Sequence, residues 1–253
     1  MSNEVTNKSP FPTEIVELPS KGLVYPSTNP LSSGKIEMKY MTAKEEDILT
    51  NSNYIRQGVV IDKLLQSLII SPINYSDLLI GDKDAVMMAA RILGYGKDYD
   101  FQYAGEKVTV DLSTLKLKEL DESAIKEKGK NEFEYKLPNT DNIITFRLLT
   151  QKDDRDIDAE LEGLKKLNKN ANNELTTRLK YMILSINGNY ERGTVRQFVD
   201  TAFLARDSRA FREYYAQISP GVETKVNFQT EFGDEEDINI QFNSNFFWPE
   251  SGN

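Results

Sequence analysis

The sequence predicts an α+β fold made of two tandem units related by duplication. Each unit is expected to hold a strand, about three helices and a β-hairpin, in that order. Two observations support this: strand-like alternation runs into a helix-capping pattern twice, and the order of segments returns in the second half. The predicted organisation is an extended N-terminal arm (residues 1–34), a first unit (35–118), a charged linker (119–131) and a second unit with an aromatic tail (132–253).

The duplication rests on short segments that recur in the same order. The echoes are Met41–Ile48 with Leu149–Ile157, Lys63–Ile69 with Arg178–Leu184, Asp82–Ala85 with Asp207–Ala210, and two hairpin-like stretches at Tyr99–Val110 and Val226–Ile240. Several echoes in one order indicate a repeat more strongly than one does. The alternative is that two α+β domains of similar size look alike in composition.

The composition restricts the chemistry that the chain can perform. Among 253 residues there are 31 basic and 40 acidic ones, with a net charge of -9, no histidine and no cysteine. A broad phosphate-binding surface is therefore not expected, which argues against nucleic acid as a partner. Disulfides and thiolate metal sites are excluded, so we predict no metal and no cofactor. No apolar stretch approaches the ~18 residues of a membrane span and the amino terminus lacks a secretory core, so we expect a protein of the cytoplasm without membrane contact.

The N-terminal arm is punctuated by five prolines, which forbid regular helix and favour extended chain. Ile15–Leu18 is apolar enough to add to a sheet as a strand. The segment that follows is predicted to bind a partner or a second copy, and its candidate residues are Leu18, Pro19, Ser20, Gly22, Leu23, Tyr25 and Pro26. The alternative is a disordered tail.

The first unit opens with Ile36, Met38 and Tyr40 alternating with charged residues, which is typical of a half-buried strand. Thr42 and Glu45 then form a capping-box pattern that predicts a helix start. Helical spacing follows in two apolar stripes, and a hairpin turning at Ala104-Gly105 closes the unit. The stripes are Val60 or Ile61 with Leu64, Leu65 and Leu68, then Val86, Ala89, Ala90 and Leu93.

The second unit repeats this course after the charged linker. Strands are expected at Phe133–Tyr135 and Ile143–Leu149, the latter running into a helix cap at Thr150 and Asp153. Three amphipathic helices should follow. Their stripes are Leu175, Leu179, Met182, Ile183 and Ile186; Val195, Phe198, Val199 and Ala202; and Phe211, Tyr214, Tyr215 and Ile218.

No pattern in the sequence predicts catalysis. The acidic run Asp234–Asp237 lacks the spacing of a calcium loop, and Gly94-Tyr95-Gly96 lacks the third glycine and preceding strand of a dinucleotide loop. We therefore predict a protein that is not an enzyme and has no small-molecule substrate. A carboxylate-based hydrolase or metal enzyme is the weakest alternative.

The carboxyl end carries an aromatic cluster: Phe246, Phe247, Trp248 and Pro249. Terminal aromatics either pack on their own domain or anchor a partner. We include these four residues among the candidate partner-binding residues, and self-packing is the alternative.

Several segments together resemble the baseplate proteins of T-even-type phages, the family of the baseplate hub subunit and the baseplate hub assembly catalyst. They are Leu18–Gly22 with Tyr25-Pro26, Lys44–Leu49, Gly81-Asp82 leading to Arg91–Gly96, and Phe246–Pro249. The resemblance spans almost the whole chain. It implies a non-enzymatic protein of a contractile-tailed phage that acts in the baseplate hub, made in the host cytoplasm and bound to other baseplate or tail proteins or to other copies of itself. The alternative is a transient tail-assembly chaperone that is absent from the mature virion.

Overall fold

The computed structural model describes residues 12–103, 105–167, 173–229 and 235–248. These residues form helices and small antiparallel sheets, so the predicted α+β class is confirmed. The elements are, in chain order, β1 (Thr13–Glu17), β2 (Lys35–Lys39), α1 (Ala43–Leu49), α2 (Ser52–Arg56), α3 (Val60–Leu68), α4 (Ile80–Tyr95), β3 (Asp98–Tyr103), β4 (Glu106–Asp111), β5 (Leu117–Lys118), β6 (Phe133–Lys136), β7 (Ile143–Phe146), α5 (Gln151–Leu167), α6 (Glu174–Met182), β8 (Ile183–Ile186), α7 (Arg192–Thr201), α8 (Ala205–Ile218), β9 (Gly221–Val222), β10 (Lys225–Gln229) and β11 (Glu235–Asn239).

The expectation of an extended arm over residues 1–34 is wrong for its described part, residues 12–34. β1 pairs antiparallel with β2, as the apolar Ile15–Leu18 segment predicted. After β1 the chain turns back through short turns and one 3-10 turn, which bury Leu18, Val24 and Leu31. Prolines forbid helix but allow strand edges and turns, so this part of the chain packs on the first unit in spite of its prolines.

Helix α4 is the centre of the first unit. None of its residues from Gly81 to Tyr95 is exposed, because neighbours cover it on nearly every side. Its sequence is apolar almost all round, which is typical of a buried helix. Of its predicted stripe, Val86 and Ala90 are fully buried while Ala89 and Leu93 are half-buried.

A three-stranded sheet, β6-β7-β8, forms the framework of the second unit. Helix α6 ends at Met182, so the apolar stripe predicted to be helical through Ile186 instead changes to strand β8. Ile183 pairs with Phe146 on β7. β-branched residues at the end of a short helix fit the buried centre of a sheet, and tertiary pairing overrides the helical spacing there.

The two units are joined more closely than a linker at 119–131 predicts. β5 pairs with β9, and Leu79 before α4 bridges to Thr150 before α5. Within the predicted linker, the side chain of Leu120 is buried. The backbone N of Leu120 also donates a hydrogen bond to the carbonyl of Pro19 at 3.0 Å. The predicted boundary at 118/119 therefore falls inside packed structure.

The two units have the same capping arrangement at the start of one helix each, α1 in the first unit and α5 in the second. The backbone N of Thr42 donates to Glu45 at 3.0 Å, and that of Thr150 donates to Asp153 at 3.0 Å. A cation three residues before each threonine completes the site. Lys39 contacts Glu45 at 2.8 Å and Arg147 contacts Asp153 at 2.5 Å. Both predicted helix caps are confirmed.

A second shared arrangement lies at the third residue of α4 and of α8, where Asp82 and Asp207 are fully buried. Each carboxylate accepts hydrogen bonds from the loop of its unit's first hairpin. The donors are Ser20 and Tyr25 for Asp82, and Asn139 and Thr140 for Asp207. These local matches agree with the predicted order of segments, and the duplication of the whole units stays a prediction.

The two predicted hairpins are present. Tyr99 and Phe101 pair with Val110 and Val108, and Val226 pairs with Ile238. The predicted turn residue Ala104, the tip at 230–234 and Pro249 lie outside the described residues. Over the described ranges, none of the helices has the length and apolar character needed to cross a bilayer.

Candidate interaction surface

Most of the partner-binding residues predicted in the arm are buried inside the chain's own fold. Leu18, Pro19, Ser20, Gly22 and Tyr25 are buried. Leu23 is half-buried and Pro26 is exposed. A buried side chain cannot contact a partner without local unfolding, so this segment stabilises the first unit in the structure.

Asp82 is the residue that holds the arm segment in place. Its carboxylate accepts from the backbone N of Ser20 at 2.9 Å, from Ser20 Oγ at 2.7 Å and from the hydroxyl of Tyr25 at 2.6 Å. Burial raises the pKa of Asp82 in spite of these donors. The Tyr25 hydroxyl also accepts from the backbone N of Leu79 at 2.9 Å, and burial raises its pKa well above the usual value.

The aromatic tail follows the self-packing alternative. Phe246 and Phe247 are completely buried and Trp248 is half-buried. The Phe246 ring lies 5.0 Å from that of Tyr99, and its carbonyl accepts from Arg91 Nε at 3.2 Å. Arg91 is itself buried, and desolvation lowers its pKa. The tail of the second unit therefore completes the core of the first.

A different surface is open to a partner, and we call it the β1 groove. It runs between β1 and the outer side of α4 and has a volume of about 380 Å³. Its apolar lining comes from β1, from α4 and from two residues outside these elements, Tyr40 and Leu117. The apolar residues of β1 and α4 that line it are Ile15, Val16, Ala85, Met88, Ala89, Ile92 and Leu93.

Ile15 is the most exposed apolar side chain of the groove, with 57% of its surface accessible. Tyr40 is 37% exposed, and Met88, Ala89, Ile92 and Leu93 on α4 are half-buried. Apolar side chains left open side by side in this way are typical of a binding groove rather than of scattered surface residues.

The outer edge of β1 adds backbone groups to the groove that have no partner among the described residues. Tyr40 N donates to the Pro12 carbonyl and Leu18 N donates to the Gly34 carbonyl, so the even-numbered residues of β1 face β2. The N–H and C=O groups of Thr13, Ile15 and Glu17 consequently point away from β2. Within the described ranges, β1 pairs with β2 and with no other strand.

The charges at the groove are acidic. Glu14 and Glu17 lie on its rim, and the part of the lining that the structure describes includes no lysine or arginine. Glu17 contacts Lys35 at 3.1 Å, whereas no ion pair of Glu14 occurs among the described residues. The β1 groove thus combines an apolar floor, a free strand edge and one unneutralised carboxylate.

A larger cleft of about 730 Å³ lies between α3, α4 and α5. Its lining is charged: Asp62, Lys83, Asp84, Asp154, Arg155 and Asp158 are among its residues. Lys83 pairs with Asp62 at 2.7 Å, and burial raises the pKa of Asp84 to about 6. Among the described residues, no group of three or more acids is placed to hold a metal ion. Most of its described lining residues lie in helices, whose backbone groups pair within the helix, so we consider the β1 groove the stronger candidate.

Sequence reasoning predicted residues of the groove without placing them in one surface. Ile15 lies in the segment predicted to add as a strand, and Ala89 and Leu93 lie in a stripe assigned to the core, whereas Met88 was not singled out. The run of apolar residues from Ala85 to Ala90 could have indicated a helix with more apolar area than one core needs.

Comparisons with family models, with curated proteins and with solved structures found no match.

Proposed function

We propose that this chain is a non-enzymatic structural or assembly protein of a contractile-tailed phage, which acts in the baseplate hub through protein–protein contacts. The observation that carries the proposal is the β1 groove, where a strand edge that is unpaired among the described residues lies beside an open apolar floor. Such an edge is a template for pairing with another chain.

The positions of the segments that carry the family resemblance agree with this proposal. Leu18–Tyr25 binds α4 at Asp82, and the Phe246-Phe247 tail binds the same helix at Arg91. These segments build one packed framework, and that framework holds the α4 side of the groove in place. The acidic charge and the absence of histidine and cysteine also favour a role in binding over a role in catalysis.

A transient tail-assembly chaperone is the second candidate. The same groove favours it, because an apolar groove beside a free strand edge can shield an exposed strand of an unfinished tail component.

Deletion of the gene from the phage tests the proposal. Electron microscopy of the lysates should show fewer tails with complete baseplates, and a wild-type copy supplied in trans should restore them. Normal baseplates without the gene would refute the proposal. Mass spectrometry of the finished particles then separates the two candidates, because a hub subunit remains in the virion and a chaperone does not.

A further inference from the structure

We infer that the β1 groove binds an extended segment of another protein, with apolar side chains at alternate positions and a lysine or arginine opposite Glu14. The inference deepens the proposed function and rests on it only for the origin of the partner. The binding surface itself follows from the edge, floor and charge of the groove.

The free edge of β1 requires an extended segment. The outward N–H and C=O groups of Thr13, Ile15 and Glu17 recur every second residue, a spacing of ~6.8 Å that matches another strand. A docked helix satisfies its own backbone groups and would leave these three residues unpaired. A partner strand of about five residues would cover the whole edge, since β1 itself has five residues.

The floor of the groove requires apolar side chains at alternate positions. Val16 is buried on the face of β1 that packs against the core, whereas Ile15 on the other face is exposed. Residues of an added strand alternate in the same way, so every second side chain would point toward Met88, Ala89 and Ile92 on α4. Burying apolar side chains there removes water from surface that is only half-covered in the free chain.

The rim of the groove selects a basic segment. Glu14 is exposed and has no ion pair among the described residues, whereas the neighbouring Glu17 forms an ion pair with Lys35. Opposite charges directly across two strands are favourable and like charges are not. The net charge of -9 also steers a cationic segment toward the chain. A second copy would instead bring another Glu14 and Glu17 to the same edge.

The test uses a library of random linear dodecapeptides selected on the immobilised full chain. The expected outcome is enrichment of peptides with β-branched or aromatic residues at alternate positions and at least one lysine or arginine. Selected peptides should bind the Ile15→Lys variant at least about tenfold more weakly, because the variant puts a charge into the apolar lining. Glu14→Lys should weaken the binding of basic peptides in the same assay, and the matched control Glu162→Lys on α5 should leave that binding unchanged. Both groove positions are exposed, so thermal unfolding of the variants should match that of the wild type.

Three results would overturn the inference. The first is no enrichment over the bare support, and the second is enrichment of acidic peptides or of apolar residues at helical spacing. The third is concentration-dependent dimerisation of the free chain that Ile15→Lys abolishes, which would make a second copy the occupant. Failure of this assay would remove the β1 groove as the binding surface, whereas the gene deletion tests the role in the baseplate hub without reference to the groove, so the two failures can be told apart. Failure of the gene deletion test would conversely leave the peptide preference standing.

Discussion

Two glycine-to-alanine substitutions, Gly81→Ala and Gly163→Ala, are expected to change stability in opposite directions. Both glycines lie in helices, α4 and α5 respectively, where alanine is intrinsically favoured by up to ~1 kcal/mol. A Cβ atom on Gly81 would lie 1.9 Å from the carbonyl oxygen of Pro220, whereas a Cβ on Gly163 meets no atom of the described residues within 4 Å. The difference between the variants therefore isolates the close approach of α4 to the loop before β9.

The magnitude follows from the movement that the Gly81 variant requires. Ordinary Cβ contacts begin at 3.4 Å, so the backbone at Pro220 must retreat by 3.4 − 1.9 = 1.5 Å. That shift disturbs the neighbouring pairing of β9 with β5 and the 3.0 Å hydrogen bond from Ile80 N to the Leu149 carbonyl. Overpacking of this kind costs ~1–3 kcal/mol. Because the intrinsic gain of alanine over glycine is common to both helix positions, the two variants should differ by this overpacking cost of roughly 1–3 kcal/mol, or about 2–12 °C in melting temperature for a chain of this size.

Calorimetry and urea unfolding followed by circular dichroism measure both variants under the same conditions. Gly163→Ala should melt slightly above the wild type and Gly81→Ala clearly below it. Equal melting temperatures for the two variants would refute the close packing of α4 against the second unit.

Three further changes test other parts of the structure. Phe246→Ala should lower the free energy of unfolding by roughly 3–5 kcal/mol, because the ring is completely buried. Leu167→Ala, at a site that is 86% exposed, should change it little, and equal effects of the two variants in urea titrations would contradict the self-packed tail. Hydrogen bonds from Lys39, Thr42 and Ser67 outweigh the opposing effect of burial and hold the pKa of Glu45 at about 2, so this residue contributes roughly 3 kcal/mol above pH 4.5 that is lost as the pH falls toward 2. The gap in stability between wild type and Glu45→Gln should close over that range, and a gap that persists at pH 2 would contradict the assignment. Burial raises the pKa of Asp84 from 3.8 to about 6, so the folded state loses stability as the pH rises between these values. Asp84→Asn should stabilise the chain by roughly 1–3 kcal/mol at pH 7.5 and have no effect near pH 3.5. No gain in stability at pH 7.5 would argue against the raised pKa of Asp84.

The sequence predicted those features of the fold that depend on neighbours along the chain. The caps at Thr42 and Thr150 and the pairing of Tyr99 with Val110 follow from local spacing, and the structure has all of them. The same local reasoning placed a strand at Ile15–Leu18.

Features that depend on distant residues were predicted less well. Prolines suggested a free arm, yet Ser20 and Tyr25 are fixed by Asp82, 62 and 57 residues further along. The helical spacing before Ile186 gave no sign of strand β8, because that strand exists through its pairing with β7. The β1 groove could not be predicted for the same reason, since only tertiary packing brings Ile15 and Ile92 to one groove.

The central claim, that the chain works by binding baseplate hub proteins, is tested most directly by co-sedimentation in infected cells. Hub intermediates separated on a density gradient would be analysed by quantitative mass spectrometry for this chain. The proposal predicts that the chain sediments with the intermediates in a fixed ratio to the other hub proteins. A chain found wholly in the light fractions, with no hub protein beside it at any stage of infection, would contradict it.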